Sequence, residues 1–226
     1  MYYEPGVTDH GLPHDPFKSC VIPRPIGWIS TVDRQGRHNL APYSQFQNVT
    51  FNPPIVMFSA NQTTQGARKD SVRNAEETGE FVWNMATYDL REAVNKTAEE
   101  LPHGVDEFAH AGLQRLPSQR VKPMRVAGSP IQFECVYLNT LRFPGEPPFG
   151  TADVVFGRVV AIHIDDAVID ANGLVDVLKI RPIARMGYYD YTWVDQKFEM
   201  VIGGNNTALL AGLEGSGRKA AQAAAK

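Results

Sequence analysis

Short apolar runs rich in β-branched and aromatic residues, separated by turn residues, recur along most of this 226-residue chain. They occupy residues 26–32, 55–60, 81–85, 131–143 and 154–164. Asp33 to Gly36 is a turn signal from which residues 38–44 return, which predicts a hairpin. From Ile131 onward, apolar and polar residues alternate, which predicts a strand with one buried face. Because regular alternation of strands with long helices is absent, the pattern favours antiparallel strands over a doubly wound parallel sheet.

Helix signals are few and short. The predicted helices begin at Asp70 or Ser71, at Asp89 and at Asp106. Gly79 ends the first helix, because glycine adopts the left-handed conformation after a helix without steric cost. Glu92 stands three residues after Asp89, as in a capping box. The fold class predicted from these signals is mostly β, an antiparallel barrel with a few short helical insertions.

The charge balance excludes several kinds of partner. The chain has 22 Lys+Arg and 25 Asp+Glu residues, a formal net charge of −3, whereas nucleic-acid-binding proteins carry a strong basic excess. No apolar run approaches the ~20 residues of a membrane helix, and the N-terminus does not follow the signal-peptide pattern. We therefore expect a cytoplasmic protein that binds neither nucleic acid nor membrane.

The motifs of metal and nucleophilic catalysis are also missing. Cys20 and Cys135 lie more than a hundred residues apart, and they are expected to be reduced thiols. The six histidines are scattered, so no metal site is expected. The sequence contains no phosphate-loop motif, no nucleophile elbow and no zinc-protease motif. The absence of these motifs indicates that a bound organic cofactor carries out the chemistry. In that case no side chain need act as the catalytic acid or base.

The densest polar signal surrounds the start of the first predicted helix. Arg68, Lys69 and Ser71 place two cations and a hydroxyl where the first backbone N–H groups of a helix have no intrahelical partner. A phosphomonoester fits such a position. An ordinary capped surface helix with a basic flank is the alternative interpretation.

A second polar cluster lies on the predicted hairpin. Ser30 and Thr31 end one strand, and residues 39–46 contain Pro42, which cannot donate to a strand ladder and places this strand at an edge or breaks it. Residues 58–61 end a buried strand in polar groups. Backbone groups freed at these points could face a planar heterocycle. The alternative is a kinked strand with buried aromatic residues.

Five blocks of sequence, in this order and spacing, resemble the flavin reductase-like domain family, which contains flavoredoxin and the reductase components of two-component monooxygenases. The blocks are RPIGWIST at 24–31, NLAPYS at 39–44, PPIVMFS at 53–59, KDSVRN at 69–74 and GEFVWN at 79–84. GTADVVFGRV at 150–159 and RPIARMG at 181–187 resemble later parts of the family.

The resemblance implies an FMN-binding split β-barrel, usually a homodimer, over residues 20–200. Residues 1–19 are then an N-terminal extension and residues 201–226 a C-terminal tail, flexible at its end. FMN is implied rather than FAD, with NAD(P)H as a possible electron donor. The residues implied to approach the flavin ring or ribityl chain are Ser30, Thr31, Asn39, Ala41, Pro42, Tyr43, Ser44, Ser59, Ala60 and Asn61. Those implied to border its phosphate are Lys69, Asp70 and Ser71.

One departure from the family pattern bears on activity. Two-component flavin reductases carry Gly-Asp-His, with the histidine associated with nicotinamide recognition, where this chain has Gly150, Thr151 and Ala152. His163 is too far along the strand to replace it directly. Three hypotheses follow. The first is an FMN-dependent NAD(P)H oxidoreductase that passes electrons to an acceptor such as a partner protein. The second is a non-catalytic flavin-binding electron carrier reduced by another protein, and the third is a split-barrel interaction module without flavin.

Overall fold

The computed structural model describes residues 1–147 and 150–200. The strands in this part of the chain are β1 (Arg24–Pro25), β2 (Gly27–Val32), β3 (His38–Tyr43), β4 (Phe46–Phe51), β5 (Pro54–Asn61), β6 (Glu80–Asn84), β7 (Arg115–Leu116), β8 (Arg125–Val126), β9 (Ile131–Phe143), β10 (Ala152–Ile164), β11 (Ile183–Gly187) and β12 (Asp190–Trp193). The helices there are α1 (Phe17–Cys20), α2 (Asp70–Thr78), α3 (Arg91–Lys96), α4 (Glu107–His110) and α5 (Val177–Ile180).

A seven-stranded sheet in the order β3-β2-β6-β9-β10-β5-β4 forms the body of the protein. All of its strand pairs are antiparallel. A second sheet has the order β1-β11-β12, and β7 pairs with β8. The prediction of a mostly antiparallel β-protein with a few short helices is confirmed. Two compact units divide the chain, Met1–Asp195 and a second that begins at Gln196. The predicted tail at 201–226 lies outside the described residues.

Apolar side chains from both ends of the large sheet meet in its core. Ile29, Phe58, Phe81 and Val155 are fully buried in one cluster, and Phe58 meets Phe81 edge to face with ring centroids 5.5 Å apart. Trp28 belongs to a second cluster under α3 and α4. Helix α2 packs its apolar face, including the fully buried Val72, onto the first cluster. This packing fixes the start of α2 relative to β2 and β3.

Helix boundaries follow the predicted signals in part. Gly79 ends α2 in the left-handed conformation at φ 78°, as predicted, whereas the N-cap is Lys69 rather than Asp70 or Ser71. Asp106 caps α4 through the N–H groups of the second and third following residues. The prediction that Asp89 caps the second helix is wrong, because α3 begins at Arg91 and the Asp89 carboxylate pairs with Arg181 instead.

Two strand features differ from the sequence pattern. Strand β4 was not predicted, because it is an edge strand whose mixed, largely exposed residues carry no regular alternation. The one-sided burial predicted for β9 is wrong at its start, where the side chains of Gln132 and Glu134 are buried as well. Residues 117–126 cover this second face. Pro42 was predicted to lie in an edge strand or to break its strand, and the structure has the first arrangement, since β3 continues through Pro42 and borders the sheet.

Gly157 on β10 is required by close packing. A Cβ atom at this position would overlap the ring of Phe81 and press on the Cβ atom of Cys135. Both neighbours are fully buried and cannot retreat into solvent. We expect Gly157→Ala to lower the free energy of unfolding by about 1–3 kcal/mol, the usual cost of overpacking a core. Urea denaturation measures this loss, and backbone strain does not contribute to it, because Gly157 is not among the glycines at positive φ. An unchanged stability of Gly157→Ala would contradict the packing.

No helix among the described residues combines the length and apolar character that crossing a bilayer requires. Cys20 is exposed and Cys135 is buried, and both thiols are free.

Candidate functional site

A cavity of about 520 Å³ opens beside the start of α2. Strand β3, the loop before α2, the first turn of α2 and the loop after α3 form its walls. Its lining residues are Asn39, Ala41, Pro42, Tyr43, Thr63, Gln65, Ala67, Arg68, Lys69, Asp70, Arg73, Thr97, Ala98, Glu99, Glu100, Leu101, Pro102, His103 and Glu107. The volume lies within the roughly 300–1,000 Å³ range of small-ligand and cofactor sites.

The start of α2 supplies donors to this cavity. Lys69, the N-cap, has extended backbone at φ −62° and ψ 142°, and its side chain makes no capping hydrogen bond. The N–H groups of the first two helical residues, Asp70 and Ser71, have no carbonyl acceptor within the helix, whereas that of Val72 donates to Lys69 O at 3.1 Å, and the helix dipole adds partial positive charge at this end. Gly66, at φ 77°, turns the preceding loop so that Arg68 and Lys69 reach the cavity.

The basic side chains at the cavity lie against carboxylates of the protein. Lys69 Nζ lies 3.1 Å from Glu100 Oε2, and Arg73 Nη2 lies 2.6 Å from Asp70 Oδ1. His103 Nδ1 lies 2.9 Å from both carboxylate oxygens of Asp70. These pairs are partly exposed, so a ligand with a stronger charge can exchange with the carboxylates at modest cost.

Arg68 is anchored in a four-member ion network. Its guanidinium pairs with Glu76 on α2 and lies 3.5 Å from Asp153 Oδ2, through Nε. Arg142 bridges the same two acids from β9, with Nε 2.9 Å from Asp153 Oδ1. Burial opposes ionisation of Glu76, but the hydrogen bonds from Arg68 and Thr140 outweigh it and lower its pKa. The network ties the loop before α2 to the sheet.

Asn39 lines the inner wall, and Ser71 lies directly behind it. Asn39 Nδ2 donates to Ser71 Oγ at 2.8 Å, and the Ser71 side chain is only 1% exposed. Burial raises the pKa of the adjacent Tyr43 well above its usual range, despite a hydrogen bond with Ser71. Tyr43 therefore presents a neutral phenol to the cavity, and its ring packs on Phe58 with centroids 5.2 Å apart.

Glu107 places a buried carboxyl group in the same wall. Its Oε2 accepts the backbone N–H of Leu40 at 2.9 Å, which joins α4 to β3. Burial raises the pKa of Glu107, against the hydrogen bonds it accepts from backbone N–H groups. Neither this residue nor the loop at 97–103 was predicted from the sequence. Both lie in a polar stretch typical of a solvated surface, and no motif there signals a site.

The structure brings together only part of the predicted site. Six of the predicted residues line the cavity: Asn39, Ala41, Pro42, Tyr43, Lys69 and Asp70. Ser71 lies directly behind them. Ser30 and Thr31 are fully buried and engaged elsewhere, because Ser30 Oγ donates to Met124 O at 2.5 Å and Thr31 Oγ1 accepts from Asn74.

Four other predicted residues lie outside the lining among the described residues: Ser44, Ser59, Ala60 and Asn61. The last three form the end of β5, immediately before the loop that reaches Lys69. Ser59 donates its backbone N–H to Gln45 O at 2.8 Å, so this backbone group is already used within the sheet. Flavin contact by these residues and by Ser30 and Thr31 stays a prediction.

The comparison with solved structures identifies the class of fold. A protein with a split barrel domain from Shewanella frigidimarina NCIMB 400 superposes on the chain with a TM-score of 0.69 at 20% identity. The alignment covers 80% of this chain and 86% of the other. The protein is a split β-barrel, as the sequence resemblance implied.

The family follows from sequence comparison. The model of the flavin reductase like domain matches residues 19–189, and the chain belongs to this family. An uncharacterized protein from Aquifex aeolicus is 38% identical over 171 residues, 75% of this chain and 84% of its own length. Nitrilotriacetate monooxygenase component B from Bacillus cereus superposes with a TM-score of 0.80 at 30% identity, over 88% of this chain and 98% of its own.

Proposed function

We propose that the chain binds FMN in the cavity at the start of α2 and transfers electrons from NAD(P)H through it to a second acceptor. The observation that carries the proposal is the juxtaposition of Lys69 and the free amides of the α2 start with a cavity of about 520 Å³, in a member of the flavin reductase-like family. Helix starts of this kind bind phosphate groups.

The residues present fit FMN. The α2 start and Lys69 offer N–H donors and a counter-charge for a phosphomonoester. Ala41, Pro42 and Tyr43 offer an apolar wall with one phenol, which suits a planar heterocycle, and Asn39 and Gln65 add amide groups for polar contacts. We infer FMN rather than FAD from the family resemblance alone, because one helix start can hold either a phosphomonoester or a pyrophosphate.

The bound flavin would supply the two-electron redox chemistry. The chain's own residues bind it, orient it and exclude water. Lys69 and the amides of Asp70 and Ser71 hold the phosphate. Tyr43, whose pKa is raised still further above neutrality by burial, stays un-ionised near neutral pH and can donate a hydrogen bond to the ligand.

A purified-protein assay tests the oxidoreductase proposal. The chain is incubated with FMN and either NADH or NADPH, and loss of the nicotinamide absorbance is followed, with a control lacking protein. The proposal predicts protein-dependent oxidation of at least one nucleotide. Bound flavin without any oxidation would contradict the reductase step and select the electron carrier.

The electron carrier remains the second candidate because of one observation. Ala152, at the position of the family's nicotinamide-associated histidine, begins β10 and pairs with Asn61 on β5. A methyl group at this position offers no hydrogen bond to a nicotinamide. Retention of FMN through gel filtration, with reduction only by a partner protein, supports the carrier. If FMN titration gives no spectral change, the chain binds no flavin, and this result would support the third hypothesis, a split-barrel interaction module.

We also propose a homodimer. Edge strand β4 exposes Val49 by 51% and Phe51 by 76%, and an exposed apolar edge of this kind is usually covered by a partner. Light scattering of the purified chain tests this, and a monomer mass would contradict it.

A further inference from the structure

Glu100 occupies the groups that the proposed phosphate site would use. Its carboxylate accepts a hydrogen bond from Thr64 Oγ1 at 2.8 Å and lies 3.1 Å from Lys69 Nζ. The two charged side chains are 37% and 31% exposed, so the pair lies at the cavity surface and can open. The Glu100 carboxylate, from the loop at 97–103, is thus paired with the Lys69 ammonium group at the start of α2.

Resting on the FMN site proposed above, we propose that Glu100 is an internal competitor of the ligand's phosphate for Lys69, and that it keeps FMN exchangeable. The phosphate and the Glu100 carboxylate need the same ammonium group. Binding of FMN therefore displaces Glu100 from Lys69, and return of Glu100 assists release. Riboflavin, which lacks the phosphate, leaves the pair in place.

The charges favour this competition. Hydrogen bonds from Thr64 and Lys69 lower the pKa of Glu100, so its carboxylate is charged at neutral pH. A group tethered by a short loop competes at an effective concentration in the millimolar range or above. Simple monovalent anions are thereby excluded, whereas a phosphomonoester, with a charge of about −1.5 to −2 at pH 7, can displace it.

Neighbouring Glu99 provides a matched control. It also lines the cavity, but its carboxylate pairs with His110 Nε2 at 2.9 Å rather than with Lys69. Glu99→Gln therefore removes the same charge from the same cavity without freeing Lys69. Thr64→Val provides a second variant, since it removes the hydrogen bond that holds Glu100 and leaves every charge in place.

The test is a fluorescence titration of FMN and of riboflavin into the intact chain and the three variants. We expect Glu100→Gln to tighten FMN binding about tenfold and to slow FMN release similarly, the scale of one charge-assisted contact. Riboflavin affinity should be unchanged. Thr64→Val should tighten FMN by a smaller factor, and Glu99→Gln, which removes a cavity charge that is not paired with Lys69, should change FMN affinity far less than Glu100→Gln.

The outcomes separate this inference from the proposed function. If both flavins bind and Glu100→Gln leaves the ratio of FMN to riboflavin affinity unchanged or lowers it, the competition is refuted while the flavin site stands. If Glu99→Gln tightens FMN equally, general electrostatics explains the effect and the competition is again refuted. If neither flavin binds the unaltered chain or the variants, the flavin site and the competition both fail.

Discussion

Replacing Glu134 by alanine is expected to lower the free energy of unfolding by about 3–5 kcal/mol, the cost of breaking a buried, hydrogen-bonded charge. The Glu134 side chain is fully buried on β9. Its carboxylate accepts the backbone N–H groups of Gln119 at 2.8 Å and Arg120 at 2.6 Å, and lies 2.5 Å from His163 Nε2. Alanine leaves these donors without an acceptor.

Guanidinium denaturation measures the loss, and Glu80→Ala is the matched control. Glu80 on β6 accepts one backbone N–H from the same loop, that of Lys122 at 2.9 Å, but it is partly exposed. Water can replace this bond, so we expect a loss of at most about 1 kcal/mol. Equal losses in the two variants would show that Glu134 does not anchor residues 117–126.

The same carboxylate gives the stability a pH dependence. Burial opposes its ionisation, but the N–H donors and His163 outweigh burial and hold the pKa of Glu134 below its usual range. The folded state therefore binds fewer protons than the unfolded state. This stabilisation is complete above the unfolded pKa of about 4.3 and is lost as the pH falls through the lower folded value. We expect the stability of Glu134→Gln to fall less steeply below pH 4 than that of the unaltered chain; parallel curves would contradict this.

Replacing Lys69 by alanine is expected to weaken FMN binding by about 2–3 kcal/mol, roughly 30- to 150-fold, the range of a hydrogen bond to a charged group plus the cost of an unopposed carboxylate. The loss has two sources. The phosphate loses its counter-charge, and Glu100, which pairs with Lys69 at 3.1 Å, is left facing the phosphate. Riboflavin should bind nearly as before.

Titration of both flavins into Lys69→Ala checks this expectation. Lys96→Ala removes the same charge from the exposed last turn of α3, outside the cavity lining, and should leave both affinities unchanged. If Lys69→Ala weakens FMN and riboflavin binding equally, the Lys69 side chain stabilises the fold or contacts the flavin ring rather than the phosphate. If it weakens neither, Lys69 has no part in binding.

The sequence predicted the elements whose signals are local. The end of α2 at Gly79, the hairpin from β2 to β3 and the edge position of Pro42 each depend on a few neighbouring residues. Burial of Glu134 could not be predicted in this way, because it depends on how residues 117–126, which precede β9, fold back over the polar face of that strand. Strand β4 was missed because an edge strand needs no regular apolar pattern.

Only one side of the cavity could be predicted, because only that side is built from residues with local sequence signals. The α2 start and β3 carry local signals of capping, charge and a proline break, and the structure brings them together. The opposite wall, at 97–103 and Glu107, reaches the cavity only through the placement of α3 and α4. Ser30 and Thr31 lie on the neighbouring strand, but pairing within the sheet turns them toward Met124 and Asn74.

A crystal structure of the chain with FMN tests the central claim most directly. The account predicts the phosphate at hydrogen-bond distance from the backbone N–H groups of Asp70 and Ser71 and from Lys69 Nζ, with the Glu100 carboxylate turned away. A flavin bound elsewhere, such as the smaller cavity of about 310 Å³ lined by Tyr88 and Trp193, with the start of α2 still paired to Glu100, would contradict it.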